Sequence, residues 1–414
     1  MKTQRRTTLF ALLAVAGLGV AACGSDKKSS DTAATTAATA AAPASSAATG
    51  DTTAPATGGV AGCDASKAPA TLTKVKLQLQ WFTQAQFAGY FAAVDKGCYA
   101  AQGLDVEILE GGVDIVPQTQ LADGQADFAI AWVPKALASR EAGANIVDIA
   151  QVFQRSGTLQ VSFKDKNITT SKDFKGKKIG NWGFGNEYEI FAALAKNGLS
   201  ASKDVTLLAQ QFDMSGLLSG DIDAAEAMTY NEYAQVLETK NATTGKLYSP
   251  DDLNVVSYEK EGVGMLQDAI WADGKRLASD PAYADLATKF VAGSLAGWSY
   301  CRDNAESCRD IVVSKGSKLG ASHQLWQMNE INKLIWPATN GVGEIDKAAW
   351  DRTVKIALGT PNADGAAIIT KDPGTDAYSN TYVDAALALL KGQGVDVNGS
   401  GFAPLTVTLT EGGA

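Results

Sequence analysis

Leu77-Gln78-Leu79-Gln80-Trp81 opens the stretch of sequence that decides the fold, and Leu104-Asp105-Val106-Glu107-Ile108-Leu109 closes it. In both segments apolar residues alternate with polar ones, which is the pattern of a half-buried strand. Between them, Phe87-Ala88-Gly89-Tyr90-Phe91-Ala92-Ala93-Val94 has the composition of a helix, which Gly97 ends. The stretch therefore predicts a β-α-β unit, and small ligands bind such units where the first strand ends and its helix begins.

A second copy of this plan is predicted further along the chain. Lys177 to Trp182 has the pattern of a strand, Gly183-Phe184-Gly185 forms a loop, and a helix capped by Asn186 is expected to run to Leu194. A short helix, a glycine turn and a strand also occur twice. The matching residues are Leu121, Gly124, Asp127, Ala129 and Ala131 in the first copy, and Leu217, Gly220, Asp223, Ala225 and Ala227 in the second. We therefore predict two similar α/β lobes.

The limits of the lobes follow from the order of these elements. A strand from Gly264 to Trp271 is expected to return to the first lobe, and helices dominate after it. We predict the first lobe at residues 73–156 and 262–400, and the second at 157–261. Strands of the two lobes end at Trp132 and at Thr229-Tyr230-Asn231-Glu232-Tyr233. We expect these two edges to face each other across a cleft.

Composition and charge exclude two classes of protein. The chain has 414 residues, of which 45% are hydrophobic and 20% charged, and its formal net charge is -9. A mean hydropathy near zero argues against a polytopic membrane protein. An acidic chain also argues against nucleic acid as a partner, because phosphate binding needs clustered Lys and Arg.

The N-terminus carries a targeting signal. Lys2, Arg5 and Arg6 precede an apolar run from Leu9 to Val20, and Val20-Ala21-Ala22-Cys23-Gly24 looks like a bacterial lipobox. We predict a signal peptide at residues 1–22, a lipid on Cys23 and a flexible tether at residues 23–72, which is rich in Ala, Thr and Ser. The lipid would hold the protein on the outer face of the cytoplasmic membrane. The alternative is an ordinary secretory signal followed by an incidental cysteine.

Four further cysteines agree with export to an oxidising compartment. Cys301 and Cys308 are close in sequence and are expected to form one disulfide, which leaves Cys63 and Cys98 for the other. A metal site is the alternative, but the spacings are not those of zinc ligands and His323 is the single histidine of the sequence. We therefore expect no metal, and a structural or exposed role for His323.

Several motifs resemble those of a known family. They are Leu79-Gln80-Trp81, Gln84-Ala85-Gln86-Phe87-Ala88-Gly89-Tyr90, Asp95-Lys96-Gly97, Gly103-Leu104-Asp105-Val106, Gly180-Asn181-Trp182-Gly183-Phe184-Gly185-Asn186-Glu187, Met228-Thr229-Tyr230-Asn231-Glu232 and Gly297-Trp298-Ser299-Tyr300-Cys301-Arg302-Asp303. They look like the solute-binding proteins of ABC importers in the thiamine-pyrimidine-synthase-like and alkanesulfonate-binding group. The resemblance implies a two-lobed periplasmic-binding fold of type II, a membrane permease as partner, a monomer and no cofactor.

The resemblance also suggests a ligand. The loops around Gln84 and Asn186 look most like those of members that bind the thiamine pyrimidine or riboflavin, so we expect a small planar ring held between aromatic side chains. The residues predicted to contact it are Trp81, Gln84, Gln86, Tyr90, Asp114, Trp132, Gly183, Gly185, Asn186, Glu187, Tyr230, Asn231 and Glu232. Phe87 and Phe91, one helical turn apart, are expected to be core residues.

Other functions stay open at this point. A nitrate or alkanesulfonate anion is the alternative ligand within the same group. Fungal relatives are enzymes that make the thiamine pyrimidine with a histidine and a cysteine-rich run, and neither occurs at the corresponding place here. An exported hydrolase would need a nucleophile and a base, whereas the sequence has one histidine and no Gly-x-Ser-x-Gly motif. A surface adhesion lipoprotein would bind no small molecule. We therefore expect a binding protein and not an enzyme.

Overall fold

The structure is a computed structural model that describes residues 60–413, so the predicted signal peptide, Cys23 and most of the predicted tether lie outside the described residues. Within this range the strands are β1 (Thr73–Gln78), β2 (Leu104–Leu109), β3 (Phe128–Trp132), β4 (Ile146–Gln151), β5 (Thr158–Phe163), β6 (Lys178–Asn181), β7 (Thr206–Ala209), β8 (Ala225–Met228), β9 (Leu253–Ser257) and β10 (Asp268–Asp273). The helices are α1 (Ala88–Asp95), α2 (Cys98–Ala101), α3 (Pro117–Ala122), α4 (Val133–Glu141), α5 (Tyr188–Lys196), α6 (Ser215–Leu218), α7 (Glu232–Leu237), α8 (Gly274–Ser279), α9 (Pro281–Asp303), α10 (Ala305–Ser314), α11 (Ala321–Ile335), α12 (Lys347–Gly359) and α13 (Thr381–Gly392).

The first sheet has five strands in the order β2-β1-β3-β10-β4. Strand β1 runs parallel to both β2 and β3, and Leu77 pairs with Ile108 in the register of β1 and β2. Strand β10 lies antiparallel between β3 and β4. The predicted β-α-β unit is therefore confirmed, and it forms one side of this sheet.

The remaining strands repeat this arrangement. Strands β8, β5 and β9 form an antiparallel sheet, and β6 pairs in parallel with β7. A parallel bridge between Ile179 and Ala224, with a 2.8 Å hydrogen bond from the Gly180 N–H to the Ala224 carbonyl, joins β6 to β8. The resulting order β7-β6-β8-β5-β9 has the same strand directions as the first sheet. Two similar α/β halves are therefore present.

Two aspartates explain why the sequence repeat is visible. The Lys76 N–H donates to the Asp127 carboxylate at 2.9 Å, and the Asp127 N–H donates to the Lys76 carbonyl at 2.9 Å. In the second half, the Lys178 N–H donates to the Asp223 carboxylate at 2.9 Å, and the Asp223 N–H donates back at 2.8 Å. Each aspartate thus ties the turn before one strand to the neighbouring strand.

Two segments, 152–157 and 258–267, connect the sheets. The buried carboxylate of Glu189 on α5 holds both, because it accepts from the Met265 N–H at 2.6 Å and from the Ser156 hydroxyl at 3.0 Å. Burial raises the pKa of Glu189 to about 7. The strand expected from Gly264 begins only at Asp268, since the Met265 and Leu266 N–H groups bond to side chains and not to a neighbouring strand.

Disulfides and helix packing complete the first half. The bonds Cys63–Cys98 and Cys301–Cys308 are both present, as predicted. Helix α9 packs along α1, where a side chain on Gly89 would collide with the Trp298 ring. Between residues 60 and 413, no helix combines the length and the apolar character needed to cross a membrane.

Candidate functional site

A cavity of about 300 Å³ lies where strands of the two halves end. The first half contributes the residues that follow β1 and β3, and the second half those that follow β6 and β8. Its lining consists of Gln80, Trp81, Gln84, Gln86, Gly112, Val113, Ile115, Val116, Pro117, Gln118, Trp132, Lys135, Ala138, Ser139, Trp182, Phe184, Asn186, Tyr188, Phe212, Met228, Tyr230, Asn231 and Glu232. The carboxyl ends of parallel strands therefore meet around one hollow, which is where α/β sheets bind ligands.

A buried carboxylate anchors the first half of the cavity. Asp268 accepts hydrogen bonds from the Gln80 amide at 2.6 Å, the Trp132 indole at 2.7 Å and the Gln86 amide at 3.0 Å. The Gln84 amide in turn donates to the Gln86 oxygen at 2.8 Å. Burial raises the pKa of Asp268 to about 7, although the three donors oppose this shift. The network fixes the orientation of three cavity glutamines and one tryptophan.

Helix α11 supports the same loop from behind. The loop forms a short 3₁₀ turn, Ala85–Phe87, before α1. The Ala85 N–H donates to the Gln324 side chain at 2.6 Å, and the Gln86 N–H donates to the Gln327 side chain at 3.2 Å. These bonds satisfy backbone donors that burial would otherwise leave unpaired. Nothing local in residues 84–87 indicates the partners, because α11 is more than 230 residues away in sequence.

Asn231 and Glu232 are held by bonds within the second half and, in the case of Asn231, also by His323 of α11. The Glu232 carboxylate accepts from the Met228 N–H at 2.9 Å and from the Asn231 amide at 2.6 Å. The Asn231 oxygen lies 2.9 Å from His323 Nε2, and His323 Nδ1 lies 2.9 Å from Glu238. Burial raises the pKa of Glu232. His323 is fully buried, so its predicted structural role is confirmed and solvent exposure is wrong.

Lys135 is a cavity residue that the sequence analysis missed. Its ammonium donates to the Asn186 oxygen at 2.7 Å and lies 5.0 Å from the centre of the Trp132 ring. Burial lowers the pKa of Lys135 to about 8, while Glu226, Glu187 and Asp268 oppose this effect. A proline at the second position of α4 is a helix-start signal that could have placed Lys135 beside Trp132.

The Lys135 contact also corrects the predicted start of α5. This helix begins at Tyr188 and has no side-chain cap, because the Asn186 oxygen accepts from Lys135 and its amide donates to the Gly183 carbonyl at 2.9 Å. Within the loop, Phe184 has a φ of 54° and is 82% exposed. The glycines on both sides also have positive φ values, so the loop presents the Phe184 ring at the cavity.

Most of the predicted contact residues line the cavity. They are Trp81, Gln84, Gln86, Trp132, Asn186, Tyr230, Asn231 and Glu232. Gly183, Gly185 and Glu187 only flank lining residues, and Asp114 is exposed beside Val113. Tyr90 is buried in the core, with its ring centre 5.6 Å from that of Trp298, because α1 turns this face toward α9. Phe87 and Phe91 are core residues, as expected.

Sequence comparisons relate the chain to named proteins. The family model described as NMT1/THI5 like matches residues 84–307, more than half of the chain. The chain is 27% identical to the riboflavin-binding protein RibY of Chloroflexus aurantiacus, over 70% of this chain and 81% of that protein. It is 25% identical to a Haemophilus influenzae protein named for thiamine biosynthesis, over 45% of this chain and 60% of that protein, so it spans less than two thirds of that relative. It is 20% identical to the formylaminopyrimidine-binding protein of Halalkalibacterium halodurans, over 59% of this chain and 71% of that protein.

Solved structures share the fold. A protein of Bordetella bronchiseptica RB50 matches with a TM-score of 0.57 and 20% identity, over 77% of this chain and 98% of that one. A second match is a structure from Methylobacillus flagellatus KT, which is described as a periplasmic sulfonate-binding protein of an ABC transporter. Its TM-score is 0.54 and its identity 17%, over 82% of this chain and 99% of that one. At such identities the likeness concerns the fold alone. The chain therefore has the two-lobed α/β fold of periplasmic binding proteins.

Proposed function

The chain belongs to the NMT1/THI5-like family, and from that premise we propose that it is the extracytoplasmic ligand-binding component of an ABC importer. It captures a small planar heterocycle between its two lobes and delivers it to a permease. The observation that carries this proposal is the cavity of about 300 Å³ at the facing strand ends. That volume lies at the lower end of the range of about 300–1,000 Å³ for small-molecule sites.

The lining suits a flat ring. Trp81, Trp132, Trp182 and Tyr230 offer aromatic faces, and the buried amides of Gln84 and Gln86 lie among them. Polar groups buried in this way reject ligands that would leave them unpaired. The names of two relatives, a riboflavin-binding and a formylaminopyrimidine-binding protein, agree with a heterocyclic ligand. We propose the predicted residues that line the cavity as the ligand contacts.

Two lobes that move about a hinge would couple capture to delivery. We propose residues 73–156 and 262–400 as one lobe and 157–261 as the other. The Glu189 carboxylate bonds to both connecting segments, at Ser156 and Met265, which favours them as the hinge. A ligand that contacts both lobes stabilises the closed form. The closed monomer then docks on the permease in the cytoplasmic membrane.

Membrane attachment is a separate part of the proposal. The lipobox-like sequence before Cys23 would place a lipid on that cysteine, and the tether would let the lobes reach the permease. Expression of the full chain and of Cys23→Ser in a bacterial host that processes lipoproteins tests this. We expect the wild type in the membrane fraction and the variant in the soluble exported fraction. Equal membrane association of both proteins would exclude the lipid anchor.

One observation favours a second candidate. Lys135 places a cation in the cavity, which would suit the nitrate or alkanesulfonate anions of the alternative function. An enzyme of the thiamine-pyrimidine-synthase type has less support. The one histidine of the sequence, His323, is buried behind Asn231 and does not line the cavity. We propose a binding protein for these reasons.

Ligand titration separates the candidates. The purified protein is examined by mass spectrometry for a co-purified compound, and its tryptophan fluorescence is titrated with riboflavin, 4-amino-5-hydroxymethyl-2-methylpyrimidine, nitrate and an alkanesulfonate. We expect saturable binding of a heterocycle, weakened in Trp81→Leu and unchanged in Tyr382→Leu, which alters a partly buried aromatic residue outside the cavity. Binding of the anions with no response to either heterocycle would overturn the proposal.

A further inference from the structure

We propose that the captured heterocycle carries a cyclic amide edge, whose carbonyl oxygen accepts a hydrogen bond from Lys135 and whose ring N–H donates to Gln118. This inference rests on the proposed function and narrows its ligand class. It predicts a pyrimidinone or flavin type of ring in preference to an aminopyrimidine.

Lys135 has donor capacity that the protein does not use. An ammonium group has three N–H donors, and the described residues provide one hydrogen-bond acceptor, the Asn186 oxygen at 2.7 Å. Its other close partner is the face of Trp132, at 5.0 Å. Among the described lining residues Lys135 is the only Lys or Arg. A ligand that brings an acceptor oxygen would therefore complete the coordination of this ammonium.

Gln118 is an independent sign of a ligand. This side chain lines the cavity and is 4% exposed, and its carbonyl oxygen has no hydrogen-bond partner among residues 60–413. Leaving such a buried group unpaired costs about 1–3 kcal/mol. A ring N–H that donates to Gln118 would remove this cost. Helices α3 and α4, which carry Gln118 and Lys135, pack against each other on the same side of the cavity.

The carboxylates around the cavity cannot easily serve a ligand rich in donors. Asp268 already accepts from Gln80, Gln86 and Trp132. Glu232 already accepts from two donors, the Met228 N–H and the Asn231 amide. In contrast, the buried indole N–H of Trp182 has no partner among the described residues, so it adds a donor to the lining. The cavity therefore offers unused donors at Lys135 and Trp182 and an unused acceptor at Gln118, which matches a ring edge that bears both a carbonyl oxygen and an N–H.

A neutral carbonyl and an anionic oxygen share the acceptor chemistry that Lys135 recognises, and pH separates them. Burial lowers the pKa of Lys135 to about 8, so the ammonium loses its charge above that pH. A neutral amine still donates a hydrogen bond, but it no longer attracts an anion. Asp268, whose pKa is about 7, also titrates in this range, so the pH dependence of the wild type is compared with that of Lys135→Met. Beyond any change that this variant shares, we expect the dissociation constant of riboflavin to change less than about threefold between about pH 7 and about pH 9. A tenfold or larger weakening over that range would contradict the neutral cyclic amide.

The test uses the purified full chain and three compounds, which are riboflavin, riboflavin methylated on its ring imide nitrogen, and 4-amino-5-hydroxymethyl-2-methylpyrimidine. Lys135→Met removes the donor, Gln118→Leu removes the acceptor, and Lys315→Met is a surface control. We expect Lys135→Met and Gln118→Leu to weaken riboflavin binding roughly 10- to 100-fold, and the control to leave it unchanged. Methylation should weaken binding to the wild type by a similar factor but binding to Gln118→Leu less than about threefold, because that variant has already lost the acceptor.

The outcomes distinguish this inference from the function on which it rests. Riboflavin binding that neither variant weakens, or tighter binding of the aminopyrimidine than of riboflavin, would overturn the cyclic amide edge and leave a planar-ligand importer intact. Equal effects of methylation in the wild type and Gln118→Leu would overturn the assignment of Gln118. If no heterocycle binds the wild type, the proposed function fails and the inference fails with it. Circular dichroism and thermal melting of each variant separate lost binding from lost folding.

Discussion

The indole of Trp81 and the phenyl ring of Phe212 pack against each other at the rim of the cavity, with their centres 4.8 Å apart and their planes inclined by 55°. Trp81 follows β1 of the first sheet, whereas Phe212 follows β7 in the second half of the fold. Both rings line the cavity. The two halves therefore touch at its rim through an aromatic pair, in addition to the hydrogen bond between Lys135 and Asn186.

Removing this aromatic pair should destabilise the closed form of the two lobes relative to the open form. Because an aromatic pair contributes about 0.5–1.5 kcal/mol beyond its buried area, we expect Phe212→Ala to weaken ligand binding roughly 2- to 10-fold. Phe212 is 36% exposed, so the free energy of unfolding should change by less than about 0.5 kcal/mol. Isothermal titration and urea melts measure the two quantities. The control is Leu389→Ala on α13, which is similarly exposed and lies outside the cavity. Unchanged affinity in Phe212→Ala would argue against a role of the pair in closure.

Among the residues that support the cavity, Asp268 is the one whose substitution should lower the free energy of unfolding most. In Asp268→Leu the amides of Gln80 and Gln86 and the indole of Trp132 lose their common acceptor. We expect a loss of about 2–4 kcal/mol in the free energy of unfolding, because buried donors remain unpaired. Asp268→Asn keeps one acceptor oxygen, so its free energy of unfolding should fall by less. Urea melts check this order, with Asp285→Leu on the exposed side of α9 as a control. A neutral effect of Asp268→Leu would show that water can replace the carboxylate.

Glu189 should make stability depend on pH. Burial raises its pKa from an ordinary value of 4.5 to about 7, so the folded chain binds this proton more tightly than the unfolded chain does. The resulting stabilisation is complete below about pH 4.5 and is lost as the pH rises through about 7. Glu189→Gln keeps an acceptor for the Met265 N–H and has no proton to lose. We therefore expect the free energy of unfolding of the variant to exceed that of the wild type by up to about 3 kcal/mol at about pH 8 and by little at about pH 4.5.

Urea melts at both pH values measure the Glu189 effect. Glu306→Gln, at an exposed position of α10, is the control and should show no such difference. If the gain in Glu189→Gln is the same at both pH values, the carboxyl group does not titrate between the folded and unfolded chains as expected.

The two disulfides should contribute different amounts to the free energy of unfolding. Cys63–Cys98 closes a loop with a sequence separation of 35, whereas Cys301–Cys308 spans 7 residues. The chain-entropy relation gives about 4 kcal/mol for the first and about 2.5 kcal/mol for the second. We expect the paired alanine substitutions to reduce the free energy of unfolding in that order, as urea melts of the two double variants would show. A larger loss for the short loop would mean that packing around α9 and α10, and not loop closure, dominates.

Local sequence patterns predicted much of the fold. The alternation in Leu104 to Leu109 predicted β2, and the continuous apolar run from Phe128 to Trp132 predicted β3, both with the bounds that the structure has. The repeat through Asp127 and Asp223 was also visible, because a turn that must tie itself to a neighbouring strand constrains residue type at fixed spacing. Strands β4, β5 and β9 were not predicted. Strands β4 and β5 are largely buried, and a buried strand lacks the alternation that distinguishes it from a core segment of another kind.

The sequence by itself determined which strand ends carry the cavity, since Trp81 and Tyr230 follow predicted strands, Trp132 ends one, and the ends of parallel strands share one edge of a sheet. Only the tertiary structure decided what surrounds them. Asp268 reaches Gln86 from 182 residues away, and the direction in which helix α1 packs turns Tyr90 into the core instead of the cavity. Hydrogen bonds and packing between distant segments depend on how the sheets and helices assemble, and local periodicity contains no record of that assembly.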